Sequence, residues 1–225
     1  MKKATGTAGK DTQQGCRNCG SCCTKGGPTL RHDDEHLIKL GKIASKDLYT
    51  MRKGELAYDH RKKALMPLEA DNIRIKVCGD SMECILLDKE NHCTIYNTRP
   101  SECRSYKCWS LREVEMKYTQ PPLTRQDLLG GVEGLWELIE LHEERSSQVK
   151  LKILIEALKE GDQGVLQEIE AIINYDKGLR ETLTEKGGVA PEMIDFMLGR
   201  PVIKTIVMFG MEVKENKNGM QLIPL

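Results

Sequence analysis

Cys16-Arg17-Asn18-Cys19-Gly20-Ser21-Cys22-Cys23 gathers four thiols into one short stretch near the start of the chain. A second group, Cys78, Cys84, Cys93, Cys103 and Cys108, follows after a long gap, and no cysteine occurs beyond it. A thiolate is a charged nucleophile and a soft ligand, so thiols clustered in a reducing compartment point to metal. Two residues between Cys16 and Cys19 let both sulfurs face one ion across a tight turn. Gly15 and Gly20 suit such turns, because glycine tolerates positive φ and lets backbone N–H groups approach sulfur. Cys22 and Cys23 are adjacent, so their side chains tend to diverge, and one of them is free to bridge or to hold a second ion.

The rest of the chain bounds this reading. Its 225 residues carry 34 Lys+Arg and 34 Asp+Glu, so the global basic excess of a nucleic-acid binder is absent and no nucleic-acid partner is expected. The compact basic run Arg61-Lys62-Lys63 reads as a solvated loop. Residues 1–14 contain no apolar secretory core and read as a disordered leader. Val202 to Met211, the longest apolar stretch, is too short to span a bilayer. These features predict a cytoplasmic protein without a membrane partner, in which thiols stay reduced and disulfides are disfavoured.

Local patterns predict an α+β fold: a small cysteine-rich head over residues 15–110, then a mainly helical body over 122–225 that ends in a β-hairpin. In the head, Asp33 or Asp34 is placed to cap a short helix carrying Leu37, Ile38 and Leu40, ended by Gly41. A second short helix is expected from Ser45 through Leu48 and Met51. Residues 57–70 read as a loop, and Asn72 to Val77 alternate as a strand. Cys84 to Leu87 and Cys93 to Tyr96 read as a hairpin around Asp88 to Asn91. Pro100 is suited to open a helical turn carrying Cys103 and Cys108.

After Pro121-Pro122, Thr124 fits an N-cap, and Leu128, Leu129, Val132, Leu135, Trp136, Leu138 and Ile139 share one helical face. Trp136 reads as core. Gly130-Gly131 and Gly134 fall inside this apparent helix, which suggests close helix packing. Further helices are expected near 147–160, 163–175, 192–198 and 202–209. The Asn218-Gly219 pair predicts the terminal hairpin.

Cys16-x-x-Cys19-x-x-Cys22-Cys23, together with Cys93-Thr-Ile-Tyr96-Asn-Thr-Arg99-Pro100-Ser-Glu-Cys103-Arg104, resembles the CxxCxxCC family, the YkgJ-like zinc- or iron-chelating domain. The resemblance covers roughly residues 16–108. It implies a metal-binding domain and, by position, Cys16, Cys19, Cys22, Cys23, Cys84, Cys93 and Cys103 as ligands, with Cys108 a further member. Zinc or iron, including an iron–sulfur cluster, would suit the set. Cys78 reads equally as a buried structural thiol, and His92 as a turn residue or a mixed-site ligand. Arg99 and Arg104 would offset thiolate charge, or simply pair with Glu102 or Asp88. Tyr96 and Pro100 read as architectural.

No phosphate loop, dinucleotide fingerprint, HExxH or radical-SAM spacing is present. The leading expectation is chelation for structure, storage or delivery. Flagellin lysine N-methylases carry a similar CxxCxxCC element, which keeps an iron-dependent or iron–sulfur methyltransferase as one alternative. A protein-interaction adaptor with a structural metal is the other.

Overall fold

The computed structural model describes residues 15–59, 62–79, 81–107, 120–216 and 219–225. The leader over residues 1–14, Arg61, Cys108 and Asn218 therefore lie outside the described residues. The fold is α+β, with three two-stranded antiparallel sheets beside helices.

The front half is organised by β1 (Leu48–Met51), paired with β4 (Asn72–Ile75) in the register Leu48↔Ile75 and Thr50↔Ile73. The helix expected from Ser45 is thus only a 3-10 turn over Ser45–Asp47 that gives way to a strand. Leu48, Thr50 and Met51 are buried, and pairing with β4 outweighs the local helical pattern. The loop expected over 57–70 is also corrected. Leu56–Asp59 (β2) and Ala64–Pro67 (β3) form a hairpin, with Tyr58 opposite Leu65 and Lys63 in the left-handed region. That hairpin lacks a buried face of its own, which is why its apolar signal is weak.

Leu30, Ile73 and Leu123 exchange backbone bonds in a ring: Leu30 N–H to Ile73 O (2.8 Å), Ile73 N–H to Leu123 O (3.0 Å) and Leu123 N–H to Leu30 O (2.9 Å). Their side chains join Leu37, Ile43, Leu48, Ile75 and Cys84 in one buried cluster. Leu37 comes from α1 (Glu35–Lys39), the short helix expected there. Phe196 is buried in the same cluster, although it comes from the helical half.

Near the cysteines, α2 (Ser101–Ser105) begins after Pro100 as expected and carries Cys103. In the helical half, Thr124 caps α3 (Arg125–Leu129) through a reciprocal capping box with Asp127. The single helix expected through Ile139 instead breaks at Gly130, and α4 (Leu135–Arg145) starts afresh. Gly134 adopts φ 76° at that start, so the glycines mark a turn between helices rather than close helix packing. Trp136, expected in the core, is half-buried and lines a cleft of about 270 Å³ with Glu69, Asp71 and Glu140. Then follow α5 (Gln148–Lys159), α6 (Leu166–Glu185), α7 (Pro191–Met197) and α8 (Val202–Thr205). Gly210, left-handed at φ 76°, leads into the hairpin of β5 (Met211–Asn216) and β6 (Gly219–Pro224). Leu151, Ile155, Ile169, Ile172, Ile173, Val202 and Ile206 form the second core.

A buried polar network joins the halves. His142 Nε2 lies 2.7 Å from Asp176 Oδ1 and 3.1 Å from Ser146 Oγ, and Ser146 also receives Arg52 Nη1 at 3.0 Å. Asp176 further accepts from Arg180 Nε (3.0 Å) and from Val202 N–H (2.9 Å). Burial pushes His142 below its ordinary pKa, aided by the charges of Arg52 and Arg180 and opposed by its bond to Asp176. Burial alone would raise Asp176, but His142 and Arg180 together outweigh it and hold the carboxyl well below the usual range.

Both shifts make the fold acid-sensitive. Below about pH 6.5 the unfolded chain protonates this histidine while the folded one resists, so unfolding gains protons and stability falls with pH. Asp176 extends the loss below about pH 4. Nothing in this pair penalises the fold as pH rises above 7. Urea midpoints should therefore drop between pH 7.5 and 5. His142→Gln, which cannot take up that proton, should flatten this interval, and a variant as acid-sensitive as the parent would refute the assignment.

Candidate metal centre

The first cysteine stretch is laid against the second by three kinds of contact. Cys84 donates its backbone N–H to Cys23 O at 2.8 Å. Cys93 donates its N–H to the side-chain oxygen of Asn18 at 3.0 Å, and Tyr96 Oη donates to Cys16 O at 2.9 Å. Asn18 sits at φ 53°, a conformation asparagine tolerates better than most residues, and its own N–H approaches Cys16 Sγ at 3.4 Å.

Gly20 is required where it stands, as the sequence suggested. At φ 72° an added Cβ would meet Asn91 O at 2.6 Å, so the cysteine turn could not rest on the loop before Cys93. Gly15 meets no such constraint. The expected hairpin around Asp88 is present as one isolated bridge, Leu87↔Cys93, rather than as full strands, and a separate bridge, Val77↔Cys84, joins Cys84 to the segment after β4. Asp88 Oδ1 accepts from the N–H groups of Glu90 and His92 and shapes its turn. His92 is exposed on that turn.

Cys103 reaches the same place by a different route. Asp34 is fully buried, and its carboxylate accepts from Ser101 N–H (2.7 Å), Ser101 Oγ (2.8 Å) and Arg31 N–H (3.0 Å). The residue expected to cap α1 with its side chain therefore anchors the first turn of α2 instead. Glu102 adds a bond from Thr29 N–H at 2.9 Å. Asn18, Asp34 and Glu102 are the positioning residues that sequence reasoning missed. Only Asn18, inside the first cysteine motif, carried a local signal.

All eight described cysteines are free thiols. Cys84 is buried, Cys19 and Cys78 are exposed, and the others lie between. Cys22 Sγ is 4.0 Å from Cys23 Sγ. The Cys103 thiol senses the fields of Cys22, Cys84 and Cys93, and Cys93 senses Cys22 and Cys16. Sulfurs from both sequence clusters thus share one patch, with Cys19 turned to Ser21 Oγ at 3.3 Å while still sensing Cys22, and Cys78 within reach of Cys84. Cys108 lies outside the described residues.

The electrostatics of the patch are uneven. The hydrogen bond from Cys23 lowers Cys22 to about 6, and the same bond holds the Cys23 proton far above its ordinary range. Burial pushes Cys84, Cys93 and Cys103 up. Without a cation these thiols resist ionising together, and a bound metal ion would reverse that balance. Among the described residues no three Cys, His, Asp or Glu side chains already stand in an ion-coordinating arrangement. The donor set is soft and thiol-dominated, which fits zinc, ferrous iron or an iron–sulfur cluster and does not fit hard, oxygen-seeking cations.

The two arginines of the second motif part ways. Arg99 lies 3.8 Å above the Tyr96 ring and within electrostatic reach of Cys16, while Arg104 pairs with Asp34 at 3.9 Å and donates to Arg99 O. Among the described residues no helix is long and apolar enough to cross a membrane.

No curated protein and no solved structure matches the chain. Residues 15–123 match the model of the CxxCxxCC family, described as "Putative zinc- or iron-chelating domain".

Proposed function

We propose that the protein chelates zinc or iron through its two cysteine clusters, with Cys22, Cys23, Cys84, Cys93 and Cys103 as the inner donors. The observation that carries this reading is the meeting of the two clusters in one patch, tied by the Cys84–Cys23 and Cys93–Asn18 bonds. Cys16 adds a donor at the rim, and Cys19 and Cys108 complete the ligand set read from the sequence. Residues 15–110 would serve as the chelating unit, and 122–225 as its helical support.

The side chains divide the work. Asp34 and Glu102 fix α2 and with it Cys103, and Asn18 fixes Cys93. The bond within the Cys22–Cys23 pair favours loss of one of its protons, so this pair is suited to engage an incoming cation. The metal, when bound, would supply the positive charge that lets the remaining thiols ionise. A closed zinc site uses about four thiolates. The chain offers more, which favours two ions or a cluster and a role in storage or delivery over a single closed structural site.

The test is metal analysis of protein purified without oxygen, combined with titration of free thiols. More than one zinc or iron per chain, with most thiols protected, is the expected result. Visible charge-transfer absorption would mark iron–sulfur, and a colourless metalloprotein would mark zinc. One zinc with four thiols still titratable would overturn the two-ion reading, and no retained or rebound metal would overturn chelation itself.

A further inference from the structure

Four thiolates around a divalent ion leave a net charge of about −2 in a partly buried site, and something nearby must offset it. Arg99 stands where that charge would form. Its guanidinium is held over the Tyr96 ring, 3.8 Å from the centroid, and lies within electrostatic reach of Cys16, Cys22 and Cys93. Its Nε is buried without a hydrogen-bond partner, so one donor remains to be satisfied. Tyr96 in turn is locked to the first cluster through Cys16 O, which fixes the stack against the patch. Arg104, five residues on, is half-exposed and committed to Asp34, away from the sulfurs.

Resting on the chelation reading above, we infer that Arg99 is the positioning residue and counter-charge of the thiolate centre, and that Arg104 is not. The stack on Tyr96 pre-orders the guanidinium, so its charge meets the thiolates without the entropy of locating a free side chain. A lysine at this position would supply charge without the planar stack or the second donor.

The experiment compares wild type, Arg99→Gln, Arg99→Lys and Arg104→Gln by zinc competition against a colorimetric chelator in the full chain. The same proteins loaded with cobalt(II) report ligand number through thiolate-to-metal charge transfer. Arg99→Gln should bind zinc about 10–100-fold more weakly, the range typical for loss of a residue supporting a metal ligand. Its cobalt spectrum, once saturated, should keep the wild-type intensity per ion, because the sulfurs are unchanged. Arg99→Lys should recover part of the affinity, and Arg104→Gln should stay within about twofold of wild type. Wild-type affinity in Arg99→Gln, or an equal loss in Arg104→Gln, would overturn the inference. A reduced charge-transfer intensity in Arg99→Gln would do so too, since it would mean a lost ligand rather than a lost counter-charge. If Arg99→Gln fails to fold, Arg99→Lys decides, and binding no stronger than that of a Cys16→Ser control would refute the charge role. Failure of the wild type to bind any zinc or cobalt would instead remove the chelation reading itself.

Discussion

Replacing Arg125 with alanine is expected to destabilise the protein by about 3–5 kcal/mol, the cost typical of leaving a buried charge partner alone. Only 2% of its side chain is exposed, and every arm of the guanidinium is used. Nε donates to Asp71 at 2.6 Å, Nη2 to Glu143 at 2.9 Å and Nη1 to Met197 O at 3.2 Å. These partners come from the loop before β4, from α4 and from the end of α7. One side chain therefore fastens the front half to two helices of the body. Glu143 also lies 3.6 Å from Arg52 Nη1, so losing Arg125 unbalances the next pair as well.

Urea denaturation monitored by circular dichroism measures the loss. Restoring neutrality should recover part of it: Asp71→Asn and Glu143→Gln, each added to Arg125→Met, should be less damaging than Arg125→Met alone. A loss below about 1 kcal/mol would place the cluster with ordinary surface pairs.

That network explains what the sequence could and could not disclose. Cysteine spacing pointed to the contact between the two clusters, because the thiols lie inside compact motifs whose turns are shaped by glycine and proline. The capped start at Thr124, the helix opening at Pro191 and the terminal hairpin were legible for the same reason, since each is decided by neighbours a few residues away. β1 was not. Leu48, Thr50 and Met51 become a strand only because Asn72–Ile75 lies alongside. Asp176 was not singled out, yet it falls on the buried stripe of α6 with Ile169, Ile172 and Ile173. His142 likewise follows Ile139 on the inner face of α4. A carboxylate or imidazole at an apolar-stripe position is a signal in itself, and Arg180 stands only four residues after Asp176, but Arg52 and the His142–Asp176 pairing join segments too far apart along the chain to be named from pattern. Asp34 was misassigned for a related reason. Its position fits a local cap, while its side chain answers to Ser101 across the fold.

Stripping metal from the loaded protein should unlock the cysteine loops without unfolding the front half. The loops are held by isolated bonds, two of which close only when the clusters meet, Cys84 N–H to Cys23 O and Cys93 N–H to Asn18, while Ile85 N–H to Lys76 O closes the second loop on itself. The β1–β4 pair and the Leu30–Ile73–Leu123 ring depend instead on a core of aliphatic side chains and Phe196. That burial contributes on the order of 1.5–3 kcal/mol per large side chain, whether or not metal is present. In hydrogen exchange under reducing conditions, the amides of Cys84, Ile85 and Cys93 should accelerate by about 1,000-fold or more on chelation, equivalent to about 4 kcal/mol of lost local stability. Amides of Leu30, Ile73 and Leu123 should change by less than about tenfold. Equal acceleration of both sets would mean that the whole front half folds only around metal, as zinc fingers do. Unchanged loops would mean that the thiols meet for reasons of packing alone. The predicted split follows from where the apolar atoms lie: Cys84 is the described cysteine that is itself buried in the core, so the metal would tie the loops onto a scaffold that already stands.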